Sequence, residues 1–213
     1  MVRPVTLSYT LIDPSDTDCI AEAQQLVGAG NLDLDGVLVA SGSVTFTGGG
    51  YQIALYSAGN LSARTFTITG TDGEGRAITD AVTGPNNSTV ESVKYFKTVT
   101  QIAASGSVGS DIIVGIADEF ASTYYIVSSK RAVSSISVGV SSGASVNYKI
   151  QNMNKDPQTT ANADQVWYDH STLANQTASA ASSYISPVRA IRLIINSFSS
   201  TPTMTVNIVQ ASS

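Results

Sequence analysis

The sequence predicts an all-β protein: two β-sandwich, jelly-roll-like domains with one short N-terminal helix. Two observations carry this reading. Apolar residues recur with period two through many short runs, the signature of half-buried strands. Charged residues are only 13% of the 213, about half the ~25% usual in soluble domains, so Ser, Thr and Asn must supply most of the polar surface. The 17 glycines and 6 prolines are ordinary in number and punctuate the runs rather than signalling disorder.

In chain order, Val5 to Leu11 alternates as a first strand and Asp13-Pro14-Ser15-Asp16 breaks it. Thr17 or Asp18 can then cap a helix running to Val27, with acids in its first turn and Gly28 just past its end. Ile20, Ala23, Leu26 and Val27 would share one side of that helix. Asn31 to Val39 and Ser43 to Thr47 read as strands, and Gly48-Gly49-Gly50 turns the chain into Tyr51–Tyr56. Phe66 and Ile68 alternate with Thr65, Thr67 and Thr69, and a return run covers Ala77 to Thr83. Asp72-Gly73-Glu74-Gly75 between them completes a β-hairpin. Gly84-Pro85-Asn86-Asn87 turns again, Val90 to Ile102 gives one long strand or two, and Asp111 to Ile116 closes the unit. The first domain is therefore 1–118, a sandwich with an N-terminal arm and the short helix.

The second domain is 119–213, also a sandwich. Ile126 to Ser128 opens it as a strand start, and Ile136, Val138 and Val140 then pair as a hairpin with Val146, Tyr148 and Ile150. Asn152 to Gln165 is a polar loop of the length that carries contacts. Val166-Trp167-Tyr168 is an aromatic strand or corner, and Tyr184 to Pro187 leads toward the next strand. Ile191, Leu193 and Ile195 share a face, and Met204, Val206 and Ile208 end the unit after the turn Ser199-Ser200-Thr201-Pro202.

The net charge is −5, unevenly spread: residues 1–118 hold 12 acids against 5 bases, residues 119–213 hold 4 against 6. An acidic body without a basic, aromatic-laced stripe argues against nucleic-acid binding. No run approaches the ~18 apolar residues of a membrane span, and Met-Val-Arg-Pro-Val-Thr lacks a signal peptide's apolar core. The expectation is synthesis in a cytoplasm and release by lysis, with no membrane partner.

Residues able to carry chemistry are sparse. Cys19 stands alone and reads as a small buried hydrophobe, with no basic partner nearby. His170 is the single histidine; Asp169 and Ser171 flank it, but a triad is a spatial arrangement and Gly-x-Ser-x-Gly is missing, so it reads as a surface histidine. One His and one Cys cannot build a zinc site. Asp33/Asp35 and Asp72/Glu74 have the i,i+2 spacing of carboxylate pairs that could hold calcium or hydrolyse a glycoside, yet turn chemistry accounts for Asp72 to Arg76. The sequons at Asn60, Asn87 and Asn175 read as polar turns. No catalytic, cofactor or metal residue is assigned. Trp167 and Tyr168, with Tyr124, Tyr125 and Tyr184 in the same domain, are the candidate contacts for a protein interface or a glycan.

The run Tyr56 to Asp72, with Thr83-Gly84-Pro85-Asn86 and Tyr95 to Thr100, resembles small β-rich virion proteins of tailed bacteriophages. Ala23 to Leu26, Asn31 to Gly36 and Val188 to Leu193 look similar too. The resemblance implies a non-enzymatic virion component, a capsid decoration (cement) protein bound across major capsid protein junctions. It implies a homo-oligomer with a trimer favoured, other virion proteins as partners, and no cofactor. A head–tail adaptor, a tail or minor spike component, and a carbohydrate-binding module on the virion are the alternatives. Residues 1–47 are expected to dock on the partner, with the Asn152 to Gln165 loop as the other contact element.

Overall fold

The computed structural model describes residues 3–127, 133–141, 143, 145–160, 165–184 and 188–210. It is all-β with no helix among them. The chain forms two compact units, Pro14–Phe120 and a second made of Met1–Asp13 with Ala121–Ser213. The first strand, β1 (Arg3–Thr10), belongs to the second unit. It is not a free arm: it pairs antiparallel along its whole length with residues 203–210, from Arg3↔Gln210 to Thr10↔Thr203.

The unit Pro14–Phe120 contains β2 (Ala21–Leu26), β3 (Gly30–Asn31), β4 (Val39–Ala40), β5 (Ser43–Thr45), β6 (Gly49–Asn60), β7 (Thr65–Thr71), β8 (Ala77–Thr83), β9 (Asn86–Glu91), β10 (Thr98–Ala104) and most of β11 (Val108–Ser122). One sheet runs β4-β5-β10-β7-β8 with β3 beside β10. Elsewhere in the unit β11 lies between β6 and β2, and β9 pairs with β6. The period-two pattern decides which faces are buried. Tyr51, Ile53 and Leu55 of β6 and Phe66 and Ile68 of β7 are at or below 1% exposure, while the threonines between them face outward or lie half-buried. Tyr51 packs against Phe46 and Phe120, ring centroids 4.9 and 5.1 Å away.

The β7–β8 hairpin forms as its residues dictate, in register from Thr65↔Thr83 to Thr71↔Ala77. Gly75 takes φ +81° in the turn, a conformation that costs glycine nothing. Asp72 Oδ1 accepts hydrogen bonds from the backbone N–H of Glu74 and of Arg76. The Arg76 guanidinium reaches Asp72 at 2.7 Å and Glu74 at 2.9 Å. This acid pair is a turn staple.

The helix expected between Asp18 and Val27 is not there; that stretch carries β2. Cys19, Ile20 and Ala21 are all buried in succession, which a one-sided helix could not arrange. The Ile20 N–H instead donates to the Val114 carbonyl, and β2 pairs with β11. The Asp33/Asp35 pair, read in the sequence as possible calcium or hydrolytic carboxylates, lies beside this connection. Asp35 Oδ1 accepts from the Glu22 N–H, and the Gln24 carboxamide bonds both the N–H and the carbonyl of Asp33. Tertiary pairing overrides a favourable local propensity.

The other unit adds β12 (Tyr125–Ile126), β13 (Val133–Val140), β14 (Val146–Met153), β15 (Tyr168–Asp169), β16 (Ala180–Ser182), β17 (Ala190–Phe198) and β18 (Thr203–Gln210). One sheet has the order β1-β18-β13-β16. Beside it, β15, β14 and β17 are neighbours, with β12 on β17. The hairpin expected between residues 136 and 150 does not form: β13 pairs with β16 and β18, β14 with β15 and β17. Both runs alternate correctly, but each buries its apolar face from a different sheet. Met204, Val206 and Ile208 of β18 and Tyr148 and Ile150 of β14 are at or below 2% exposure.

Candidate contact site beside strand β15

Strand β15 is two residues long, and the extended chain around it presents successive side chains to opposite sides. Asp169 stands opposite Gln151 of β14, and Gln151 stands opposite Arg192 of β17. Their side chains form one chain of polar contacts: Gln151 Nε2 donates to Asp169 Oδ1 at 2.8 Å, while Arg192 donates twice to Gln151 Oε1, at 2.9 and 2.7 Å. Lys149 adds an ion pair to Asp169 at 3.3 Å. The Asp169 carboxyl is held below the usual carboxylate range, first by the Gln151 hydrogen bond and then by Lys149. Trp167 belongs to this side. Arg192 lies over its ring, and the Tyr124 ring sits 6.0 Å away at 37°.

Tyr168 points the other way. Its cross-strand neighbour is Asn152, which continues the face of Tyr148 and Ile150. There a cavity of about 330 Å³ opens, lined by Asn152, Asn154, Tyr168 to Ser171, Ser183, Tyr184 and Val188. The two aromatic residues singled out in the sequence are therefore not a shared platform: Trp167 is engaged by Arg192, and Tyr168, 54% exposed, walls the cavity. Tyr184 also lines it, whereas Tyr125 sits elsewhere, accepting a hydrogen bond from Gln210.

His170 is not a surface histidine; it is 5% exposed. Its Nδ1 accepts from the backbone N–H groups of Thr172 and Leu173 at 3.2 and 3.3 Å, which leaves the ring proton on Nε2. Burial pushes its pKa down, offset in part by a hydrogen bond to the Ser183 backbone. The Tyr184 ring meets it edge-on at 4.6 Å. The Tyr184 hydroxyl is buried with no hydrogen-bond partner among the described residues, and burial pushes its pKa up. Nothing in the sequence marks His170 or the Tyr184 hydroxyl as buried; both residues lie in polar segments.

The remaining chemistry-bearing residues are structural. Cys19 is 1% exposed, and burial pushes its thiol pKa up to about 11. Asn87 and Asn175 hold left-handed turn positions with φ 47° and 55°. Asn60 Oδ1 accepts from the N–H and the hydroxyl of Ser62. Of the expected contact loop, residues 161–164 lie outside the described residues.

No protein-family model matches the chain, and no curated protein matches it. Among solved structures it is similar to the PBSX exported protein XepA, at 10% identity over 99% of this chain and 86% of that one, with a TM-score of 0.25. It is also similar to the STIV MCP, at 7% identity over 97% of each chain, with a TM-score of 0.23. A third is the infectious bursal disease virus VP2 subviral particle, at 13% identity over 98% of this chain and 71% of that one, with a TM-score of 0.21.

Proposed function

We propose that this chain is a non-enzymatic structural protein of a bacteriophage virion, decorating and stabilising the capsid as a homo-oligomer, with a trimer favoured, seated across major capsid protein junctions. The observation that carries this reading is the character of the open sheet edges. Edge strand β9 reads Asn-Asn-Ser-Thr-Val-Glu and is exposed from Asn86 to Thr89. Edge strand β16 reads Ala-Ala-Ser, and β8 has a single charge, Asp80. Proteins that live alone in water guard such edges with charges, lysine above all. Val27, Val37 and Val93 stand on the surface at 106, 77 and 81% exposure. Edges and side chains of this kind suit a protein whose working state has neighbours. A decoration protein stabilises a shell because its contacts exist only on the intact lattice, so binding shifts the equilibrium toward that lattice.

The experiment is antibody labelling of negatively stained virions, joined to a retention assay on purified capsids. Label spread over the head is the expected result; label at the neck or tail would move the reading to an adaptor, tail or spike component. A monomeric chain absent from particles overturns it. Truncating residues 1–30 is a poor probe, because β1 is part of a sheet and Cys19 and Ile20 are core. The triple variant Val27→Ser, Val37→Ser, Val93→Ser changes the surface alone and is expected to lower retention.

A further inference from the structure

We infer that two copies of this chain pair through strand β1, edge to edge and antiparallel, about a two-fold axis at Ser8. β1 ends its sheet, in the order β1-β18-β13-β16, and at eight residues it is the longest of the edge strands. Its ladder with β18 runs without a register shift, whereas β9 has one against β6 and β8 carries Asp80. From Pro4 to Thr10 the strand has no charged residue. A long, regular edge of this kind is a template for another strand unless something guards it, and the one guard present is Pro4. The open side can be read from the ladder. The Leu11 N–H donates to the Pro202 carbonyl, and bonded and non-bonded positions alternate along an antiparallel pair. The odd-numbered residues of β1 therefore turn their backbone groups to β18, and Pro4, Thr6, Ser8 and Thr10 turn theirs away from it. All four are exposed, and among the described residues no backbone group pairs with them on that side.

The same residues specify the occupant and the register. In chemical type Thr6-Leu7-Ser8-Tyr9-Thr10 reads alike in both directions, hydroxyls alternating with one large apolar body on each side of Ser8. A two-fold contact needs a surface that is its own complement, and this one brings no like charges together. Centred on Ser8, the pairing sets Ser8 against Ser8 of the second copy and Thr6 against Thr10, so the outward N–H and C=O of all three find partners. A centre nearer the N-terminus sets Pro4, which has no N–H to give, against an open group. One nearer the C-terminus runs onto Ile12, outside the strand. In the Ser8-centred register Leu7 lies across from Tyr9 in a non-bonded pair, where side chains approach most closely, and aromatic–aliphatic pairs of this kind stabilise a sheet. That contact completes what the single chain leaves open: Val5 and Leu7 are only half-buried, while Met204, Val206 and Ile208 of β18 are at or below 2% exposure.

This pairing does not rest on the virion reading; a two-fold contact gives even-numbered assemblies, and it would join trimers held by other surfaces into a hexamer. The test is analytical ultracentrifugation of the full chain over a concentration series, with an even-numbered species expected. Ser8→Pro leaves the β1–β18 ladder intact, because the N–H it removes points away from β18, and should weaken the assembly about tenfold or more. Substitution to cysteine reads the register. Cα atoms across a bonded antiparallel pair lie about 5.5 Å apart, within disulfide reach. Mild oxidation should therefore crosslink two copies of Ser8→Cys but not of Thr6→Cys, whose counterpart is Thr10, and Thr6→Cys with Thr10→Cys in one chain should restore the link. Cys19 is buried and stays out of the reaction. A monomer at every concentration, an odd-numbered assembly, an assembly indifferent to Ser8→Pro, or equal crosslinking of Thr6→Cys and Ser8→Cys overturns the inference. If circular dichroism shows Ser8→Pro unfolded, Ser8→Lys, which sets two ammonium groups against each other at the axis, takes its place. Capsid retention is measured in parallel. A monomeric parent whose retention is lost in Ser8→Pro gives this edge to a capsid strand and overturns self-pairing, whereas loss of the pair with full retention supports it and leaves the virion reading standing.

Discussion

The Cζ atom of Arg192 stands 4.2 Å from the centroid of the Trp167 ring, while the same guanidinium donates twice to Gln151. One side chain thus ties an aromatic residue of a loop to two strands. A half-exposed cation–π contact contributes about 0.5–1 kcal/mol, and about 1 kcal/mol moves Tm by roughly 2–4 °C in a chain of this length. Trp167→Ala should therefore lower Tm by a few degrees. Arg192→Lys keeps the charge but loses the planar fork that reaches Gln151 and the ring together, and should lower Tm comparably. A thermal melt in which Arg192→Lys matches the parent would show the planar group to be dispensable.

His170 makes stability depend on pH in a definite direction. Its folded pKa lies below the ordinary 6.5, so the unfolded chain binds the proton more readily, and stability rises with pH where the two states differ. The His170 contribution is complete above about pH 6.5 and declines as the pH falls from there through the lower folded value. Urea unfolding at a series of pH values checks this. His170→Gln should flatten the slope between pH 7 and 5, and an unchanged slope would mean that other groups set it.

Gly70 sits in β7 opposite Val99, and a Cβ there would run into the Thr98 carbonyl oxygen. Backbone cannot swing aside as a long side chain can, so Gly70→Ala should cost about 1–3 kcal/mol as an overpacking change. Gly75 has open space around it but a positive φ, and Gly75→Ala should cost roughly 1–2 kcal/mol from backbone strain alone. Gly75→Asn tells the two causes apart, because asparagine tolerates the left-handed region and should recover much of the loss in a denaturant titration.

Cys19 offers a probe of opening in its unit. With the thiol buried and its pKa at about 11, reaction with a disulfide reagent at pH 8 should be far slower than for a free thiol and should reach full speed only in denaturant. Rapid labelling of the native chain would place Cys19 in a segment that opens locally.

Much of this architecture was legible from residues alone. The alternation through Thr65–Thr83 and the Asp72 to Gly75 turn state a hairpin in local terms, since period two and positive φ at glycine are properties of neighbouring residues. The split of Val90 to Ile102 into β9 and β10 was left open by that pattern, because Ser92 and Phe96 are buried outside any ladder.

The sequence by itself determined that the chain needs no helix after residue 28, is poor in charge, and turns at Asp72 to Gly75, because each of these depends on periodicity and composition within a few residues. Only the tertiary structure decided that Ala21 to Leu26 pairs with β11 instead of coiling, that β1 joins β18, and that β13 and β14 enter different sheets. Partners in a ladder can be 200 residues apart, and alternation says which face is apolar without saying which strand lies alongside. The cavity at Tyr168 and Tyr184 belongs to the same class: its walls come from three stretches of the chain, around residues 152–154, 168–171 and 183–188, and their meeting is a property of the fold.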